Sequence, residues 1–198
     1  MSTAVEAVPD TESPDHYEVV DGQVVEILPM SAFASEIANR LRDHLSAHAL
    51  RTNSGRTRMD MMFRVPIPED QKRAREPDLA FITFERWPRD RPMRYRGKPV
   101  DVIPNIVLEV VSPTDRAEAV LKKADEYLRA GVELVWVVFP VLRHLYAYTA
   151  PNVAPRLYTA ADTIDGGTVL PDFSAPMAEL FPTVADEPTT ETDEASVL

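Results

Sequence analysis

The stretch that most constrains this chain is I-V-L-E-V-V, residues 106–111, in which one carboxylate interrupts a run of apolar residues. A short, apolar, β-branched run of this kind predicts a buried strand. Burying an ionised carboxylate is unfavourable unless another group neutralises it or it reaches a crevice. Glu109 therefore needs a compensating partner, and it is the first candidate for a functional residue.

The segments around this strand define the fold class. Residues 112–115, S-P-T-D, are expected to end the strand and cap a helix that runs to Gly131, and V-E-L-V-W-V-V-F then predicts a second apolar strand. Such a strand–helix–strand unit implies parallel strands joined by a right-handed crossover. The sequence Y-E-V-V-D-G-Q-V-V-E predicts an antiparallel hairpin near the start of the chain. We therefore expect an α/β (mixed α+β) fold, with a mixed central sheet flanked by helices.

Four further elements follow from periodicity and turn signals. A helix is predicted over about residues 32–49, with Ser31 as its N-cap. Residues 57–66 and the D-L-A-F-I-T-F sequence from Asp78 each predict a strand. L-Y-A-Y-T predicts an antiparallel neighbour of the second apolar strand, whereas the Arg- and Pro-rich residues 86–104 are typical of a loop.

The composition excludes several classes of protein. The chain of 198 residues has no cysteine, so it has no disulfide framework and no thiolate nucleophile or metal ligand. It contains no apolar segment long enough to span a membrane, and its N-terminus lacks the basic and apolar regions of a signal peptide. We expect a cytoplasmic protein without a membrane partner.

The net charge of −11 is unevenly distributed. Residues 1–16 and 183–198 contain only acidic charges, and their composition predicts two disordered tails around one domain, residues 17–182. Within that domain, residues 51–98 hold 13 Lys and Arg against 7 Asp and Glu. The overall acidity therefore does not exclude a nucleic-acid partner, although a solvated basic surface is an equally good interpretation.

Two carboxylates are candidates for a shared metal site. Asp78 begins a strand directly after Glu76-Pro77, and Glu109 lies late in the next core strand. If these strands pair, both carboxylates meet at one end of the sheet, where Mg²⁺ would neutralise them and the backbone carbonyl of Val110 would add a third oxygen. The alternative is that Asp78 caps its strand and Glu109 pairs with an arginine.

The helix after Glu109 offers a candidate cation. At about 100° per residue, Lys122 falls nearly opposite the apolar stripe, whereas Lys123 falls at its edge beside Val120 and Tyr127. Lys123 would therefore lean over the carboxylates, where it would orient a water or stabilise a phosphate, unless it is an ordinary flanking lysine. The predicted stripe comprises Ala117, Val120, Leu121, Ala124 and Leu128.

Three motifs in this order resemble the Uma2 family of restriction-endonuclease-like proteins, within the PD-(D/E)XK nuclease superfamily. They are E-P-D-L-A-F, I-V-L-E-V-V-S-P-T-D-R and K-A-D-E-Y-L-R-A-G-V-E-L-V-W-V-V, and the resemblance covers about residues 17–181. It implies a restriction-endonuclease-like core and a Mg²⁺- or Mn²⁺-dependent endonuclease that acts on DNA.

The resemblance also assigns roles to residues. It implies that Asp78 and Glu109 are metal ligands and that the carbonyl of Val110 faces the metal. The lysine position of the superfamily motif is occupied by Val111, and Lys123 on the following helix matches the family's displaced lysine. Two accessory candidates are Tyr127 and Glu36, although a surface glutamate on the polar face of its helix also explains Glu36.

Two other functions are consistent with the same sequence. A catalytically inactive domain of the same fold would bind nucleic acid without cleaving it. A protein-interaction module would use its apolar strands as an interface, and a fold alone does not decide between these functions. A homodimer would suit cleavage of both DNA strands, because it would carry two sites.

Overall fold

The computed structural model describes residues 16–92 and 99–183. Within these residues the helices are α1 (Ala32–Thr52), α2 (Ala117–Ala130) and α3 (Met177–Leu180). The strands of the first half are β1 (Tyr17–Val20), β2 (Gln23–Glu26), β3 (Gly55–Arg58), β4 (Phe63–Arg64), β5 (Ala74–Arg75) and β6 (Leu79–Thr83). Those of the second half are β7 (Ile106–Val110), β8 (Leu134–Phe139), β9 (His144–Tyr148), β10 (Arg156–Tyr158), β11 (Thr163–Gly166) and β12 (Leu170–Pro176).

The central sheet has the strand order β10-β9-β8-β7-β6-β3. Its strands pair in antiparallel fashion except for β7 and β8, which are parallel and are joined through α2. The predicted crossover unit and the antiparallel position of β9 are therefore confirmed. The fold is mixed α/β, as the alternation of hairpins and one crossover predicted.

The two faces of this sheet pack against different helices because side chains alternate along each strand. Leu79, Phe81 and Leu108 belong to the hydrophobic cluster that includes α1. Ala80 and Val107 belong to a second cluster, which includes α2. Asp78 is two positions from Ala80, and Glu109 is two positions from Val107, so both carboxylate side chains lie on the α2 face of the sheet.

A second, smaller sheet, of order β2-β1-β5-β4, lies beside the central one. Its first hairpin turns at Asp21 and Gly22, which have φ values of 51° and 76° and so adopt the left-handed conformation that this turn requires. β1 then pairs with β5 through Val19 and Ala74. This pairing brings Glu18 and Arg75 to the α2 face of the protein.

The predicted strand over residues 57–66 is wrong as one element. The structure divides it into β3, which pairs with β6, and β4, which pairs with β5 in the small sheet. Asp60 lies between them with a φ of 49°, a left-handed conformation that an extended strand does not contain. The break allows one segment of chain to contribute to both sheets.

The predicted stripe of α2 is also partly wrong. Leu121 is 50% exposed and Ala117 is exposed, whereas Glu126 and Tyr127 are buried. The helix is rotated so that its inward face carries polar side chains that pair with residues of the two sheets. Its start is later than expected as well, because Asp115 accepts a hydrogen bond from the Ser112 amide in a turn and Arg116 occupies the N-cap position.

The ends of the helices follow the sequence signals more closely. Ser31 accepts a hydrogen bond from the Ala34 amide at 3.2 Å, which confirms it as the N-cap of α1. That helix continues to Thr52, three residues beyond the predicted end, and ends at Asn53 in the left-handed conformation. Gly131 ends α2 with a φ of 101°, as predicted.

The two predicted tails, residues 1–16 and 183–198, lie outside the described residues except for His16 and Thr183. His16, at the predicted boundary, is described and hydrogen-bonds to Glu76 Oε1 through its Nδ1 at 2.7 Å. Among the residues described, no helix is both long and apolar enough to cross a membrane.

Candidate active site

The pairing of β6 with β7 brings Asp78 and Glu109 together. Leu79 lies opposite Leu108 in the antiparallel register, and the next position along places Asp78 opposite Glu109. Asp78 Oδ2 accepts a hydrogen bond from the Val110 amide at 2.6 Å. Both carboxylates line a cavity of about 400 Å³, together with Lys123.

The backbone of Val110 is oriented toward the same position. The Val111 amide donates to Val138 O on β8, whereas the Val110 amide points the other way, toward Asp78. Because the N–H and C=O of one strand residue point to the same side, the Val110 carbonyl also faces the Asp78 side of β7. The three oxygen donors expected from the sequence therefore lie at one end of the sheet.

Two residues of α2 hold the Glu109 carboxylate. Lys123 Nζ donates to Glu109 Oε2 at 2.8 Å, and the Tyr127 hydroxyl donates to Glu109 Oε1 at 2.8 Å. These residues are four positions apart and so share one face of the helix. Lys122, the neighbouring lysine, has a side chain that is 64% exposed. The structure thus brings Lys123 to the carboxylates and directs Lys122 to solvent.

Burial controls the charge of both carboxylates. Desolvation raises the pKa of Glu109 to about 7, because it outweighs the opposing attraction of Lys123, and the nearby charge of Asp78 raises it further. Desolvation likewise raises the pKa of Asp78 to about 6, against the stabilising hydrogen bond from Val110. Each carboxylate is thus more easily protonated than in water. A bound cation would lower both pKa values, because it favours the charged form.

The pKa values of both partners of Glu109 are raised, for different reasons. Desolvation alone would lower the pKa of Lys123, but the charges of Glu109 and Glu18 overcome it and raise the pKa above its usual value. Desolvation and the Glu109 carboxylate raise the pKa of the Tyr127 hydroxyl well above its usual value. Lys123 is therefore a permanent cation at neutral pH, and Tyr127 is a permanent hydrogen-bond donor.

Glu18 is the functional candidate that sequence reasoning missed. Its Oε1 lies 3.0 Å from Lys123 Nζ, so Lys123 is held between Glu18 and Glu109. Its Oε2 accepts a hydrogen bond from Arg75, and its side chain is only 4% exposed. The residue lies in the hairpin strand β1, and its distance along the chain from Lys123 leaves no periodic signal of their contact.

Buried ion pairs continue from Glu18 into the protein. Arg75 also pairs with Glu126 on α2, and Arg73 Nη1 lies 2.9 Å from Glu126 Oε1. Arg73 in turn pairs with Asp21 at 2.7 Å. The small sheet and α2 are therefore connected by charges of alternating sign, and this connection fixes the base of the site.

The structure does not bring Glu36 to the site. Its carboxylate accepts a hydrogen bond from Arg40 Nε at 2.7 Å, one turn along α1, and its side chain is 46% exposed. The residues of α1 and its N-cap that reach the cavity are Ser31 and Ala34, which offer no carboxylate. The position of Glu36 supports the surface interpretation.

The donor set suits a hard divalent cation with few protein ligands. Of the ionisable side chains that line the cavity, Glu76, Asp78, Glu109 and Asp115 are acidic, and Lys123 alone is basic. No cluster of three or more His, Asp or Glu side chains arranged around one point occurs in the described part of the chain. Two carboxylates and a carbonyl match Mg²⁺, which retains several waters, better than a metal that requires a complete protein cage.

Comparison with known proteins agrees with this architecture. A solved structure, described as "a putative nuclease belonging to DUF820 from Anabaena variabilis", superposes with a TM-score of 0.71 at 16% sequence identity. The superposition covers 88% of this chain and 93% of that one, so the two proteins share a fold. No curated protein sequence matches the chain.

The protein therefore has the mixed α/β fold of that structure. The sequence model of the Uma2 family, described as "Putative restriction endonuclease", matches residues 4–178. The chain belongs to the Uma2 family, which confirms the resemblance found in its motifs.

Proposed function

We propose that the protein is a metal-dependent endonuclease that hydrolyses phosphodiester bonds of DNA in the cytoplasm. The observation that carries this proposal is the placement of Asp78 opposite Glu109 in one cavity, with Lys123 bonded to Glu109. Membership of the Uma2 family supports a nuclease activity, and the geometry of these three side chains supports their roles in it.

Each residue has a role that its position supports. Asp78, Glu109 and the Val110 carbonyl would hold Mg²⁺ or Mn²⁺, which supplies Lewis-acid polarisation of the phosphoryl oxygen and lowers the pKa of a bound water. Lys123 orients the attacking water or stabilises charge on the phosphate. Tyr127 donates to Glu109 and so fixes the direction in which the other carboxylate oxygen points.

Lys123 remains in place if Glu109 turns toward a cation. It lies between the Glu109 and Glu18 carboxylates, so loss of one hydrogen bond leaves the other. The freed N–H then faces the cavity that Lys123 lines, where a water or phosphate oxygen is the available acceptor. This exchange allows the same ammonium to serve a structural role before substrate binds and a catalytic role afterwards.

The test is plasmid cleavage in Mn²⁺, Mg²⁺ or EDTA by the wild type and four variants. We expect metal-dependent nicking or linearisation that Asp78→Asn, Glu109→Gln and Lys123→Gln each reduce by a factor of about 10² or more. Lys122→Gln is the matched control, since it removes the adjacent, exposed lysine of the same helix. Cleavage that persists in the three site variants would locate the activity elsewhere.

One observation favours a second candidate, a domain that binds nucleic acid without cleaving it. Both oxygens of Glu109 already accept hydrogen bonds from Lys123 and Tyr127, so the protein supplies this carboxylate with partners when no cation is bound. In that case the wild type would bind DNA equally well in EDTA and would cleave none of the substrates in any metal.

The partner is proposed to be DNA, and a homodimer would carry two sites for cleavage of both strands. A linear product that forms without a nicked intermediate, from a protein that light scattering shows to be dimeric, supports this arrangement. Accumulation of nicked circles by a monomeric protein contradicts it, and faster cleavage of RNA than of DNA contradicts the assignment of the substrate.

A further inference from the structure

The basic segment over residues 51–98 contains two kinds of arginine. Some are neutralised within the protein by carboxylates: Arg64, Arg73, Arg75 and Arg86. By contrast, Arg56, Arg58 and Arg89 form no ion pair with any described carboxylate, and their hydrogen bonds go to backbone or amide oxygens. Arg51, Lys72 and Arg91 also form no ion pair with a described carboxylate, but Arg56, Arg58 and Arg89 differ from them because they line one cavity.

These three arginines converge on two aromatic rings. Arg56 lies 5.0 Å from the centroid of the Phe84 ring and 5.2 Å from that of Trp87. Arg58 lies 5.6 Å from the Trp87 centroid, and Arg89 lies 3.8 Å from the Phe84 centroid. Stacking on the rings restricts the guanidinium groups and so reduces the entropy that they would lose on binding a ligand.

The three arginines surround a cavity that offers no negative charge. It has a volume of about 390 Å³, and no acidic residue is among those that line it within the described part of the chain. Its remaining polar lining consists of the hydroxyls of Ser46 and Thr57. Guanidinium groups and hydroxyls together are the donors that bind phosphate oxygens.

The positive charges of Arg56 and Arg58 repel each other in this cavity. Burial, and then the neighbouring charge of Arg56, lower the pKa of Arg58. An anion in the cavity would relieve this repulsion, so the cavity suits a ligand of negative charge.

The cavity also has a defined relation to the candidate active site. Arg56 pairs with Ile82 and Arg58 with Ala80 across β3 and β6, so both arginines project from the edge strand β3 on the sheet face of Asp78, and the cavity that they line extends around this edge to α1 on the other face. At a strand rise of about 3.3 Å per residue, Arg56 lies about 13 Å along the sheet from the level of Asp78. A ligand that contacts both places must therefore present phosphates at successive positions, as a polynucleotide does.

We propose that Arg56, Arg58 and Arg89 form a binding site for backbone phosphates of the nucleic acid, several nucleotides away from the cleaved bond. This inference rests on the proposed nuclease function and adds a substrate-positioning site to it. Trp87 is only 2% exposed, so its ring supports the arginines and is not available to stack on a base. The site therefore contributes affinity and register, and no sequence specificity.

The test measures binding separately from cleavage. Anisotropy of a labelled DNA duplex is recorded in EDTA over a range of salt concentrations, with the full chain and its variants. We expect Arg56→Gln/Arg89→Gln to weaken binding on the order of tenfold, and to reduce the slope of log affinity against log salt by about 2. If the double variant fails to fold, Arg89→Glu is measured in its place. Arg89 is exposed, so its replacement preserves the core.

Arg143→Gln is the matched control. Arg143 also lies over an aromatic ring, 6.0 Å from the Phe181 centroid, and it too forms no ion pair with a described carboxylate. It belongs to the turn between β8 and β9, and β7 and β6 separate these strands from β3 in the central sheet. We expect this variant to bind DNA with the affinity and salt slope of the wild type.

The outcomes distinguish this inference from the proposed function. Unchanged binding by folded arginine variants of a protein that cleaves DNA would overturn the inference and leave the nuclease intact. Arginine-dependent binding by a protein that cleaves nothing would support the inference and contradict the nuclease. Arginine-dependent binding of inorganic phosphate, with DNA binding unchanged, would assign the cavity to a free anion and overturn the nucleic-acid site.

Discussion

At the scale of single residues, Glu109 shows how a strand accommodates a buried carboxylate. Its neighbours in β7 are apolar and buried, and its compensation comes from outside the strand, through Lys123 and Tyr127 of α2. Hydrogen bonds to both oxygens satisfy the group but do not overcome the cost of desolvation, and its pKa stays raised, at about 7. That residual cost is the physical basis for the cation proposed at this position.

The raised pKa values predict how the stability of the metal-free protein depends on pH. In the folded state, Glu109 and Asp78 have pKa values of about 7 and about 6. The folded protein therefore keeps protons on these carboxylates at pH values where the unfolded chain has already released them. The contribution of these groups is therefore fully present at acid pH and is lost as pH rises toward and through 7. We expect the free energy of unfolding in EDTA to fall over this range.

The uncharged pair Asp78→Asn/Glu109→Gln isolates this contribution. Urea denaturation at several pH values should show a shallower fall with pH in the double variant than in the wild type. Mn²⁺ should raise the wild-type melting temperature more at pH 8 than at pH 6, because binding must displace the protons. Equal pH slopes in the two proteins would contradict the assignment of raised pKa values to this pair.

Glu18 is predicted to be a positioning residue for Lys123. Glu18→Gln removes the charge that holds Lys123 from the side opposite Glu109, while preserving shape and one hydrogen-bond acceptor. We expect cleavage to fall on the order of tenfold, with the Mn²⁺ concentration for half-maximal activity changed much less. A structural role alone would reduce the melting temperature and leave the cleavage rate of the folded fraction unchanged, so both quantities are measured.

At the scale of elements, α2 separates what the sequence could predict from what it could not. The helix, its Gly131 end and the choice of Lys123 over Lys122 followed from periodicity, which depends only on local spacing. The buried position of Glu126 did not follow, because its partners Arg73 and Arg75 are about fifty residues away. Local periodicity predicted an apolar stripe that included Leu121. The long-range ion pairs of Glu126 instead turn a different face of the helix inward.

The pairing of Glu126 with two arginines predicts a large effect on stability. Glu126→Gln leaves Arg73 and Arg75 buried with less compensation, although Arg73 keeps Asp21 and Asp70 and Arg75 keeps Glu18. We expect the free energy of unfolding to fall by about 3 kcal/mol, the lower end of the range for breaking a buried pair. Urea denaturation measures the change.

An exposed ion pair of the same helix provides the control. Arg129 pairs with Glu69, whose side chain is 53% exposed. Exposed pairs contribute little because water and salt screen them. Glu69→Gln should therefore change the unfolding curve far less than Glu126→Gln, and similar effects of the two substitutions would show that the buried network does not stabilise α2.

At the scale of the whole molecule, charge is divided between the domain and its ends. The nine acidic residues of segments 1–16 and 183–198 are unaccompanied by any Lys or Arg. The described domain has unneutralised arginines around the β3 cavity and a carboxylate-rich cavity beside Asp78. The proposed substrate would bridge these two cavities, with the arginines holding backbone phosphates while a cation screens the carboxylates from the phosphate to be cleaved.

Removal of the two acidic ends is therefore predicted to strengthen DNA binding without changing the fold. A shortened chain of residues 16–183 retains His16 with its bond to Glu76, along with each helix and strand described. Because like charges repel over about a Debye length, roughly 10 Å at 0.1 M salt, the gain in affinity should be largest at low salt and should fade as salt rises. We expect a gain of about threefold at low salt, with an unchanged melting temperature. A lower melting temperature would show that the ends pack on the domain, and weaker binding would show that they contact the nucleic acid favourably, each of which contradicts the prediction of disordered, repulsive tails.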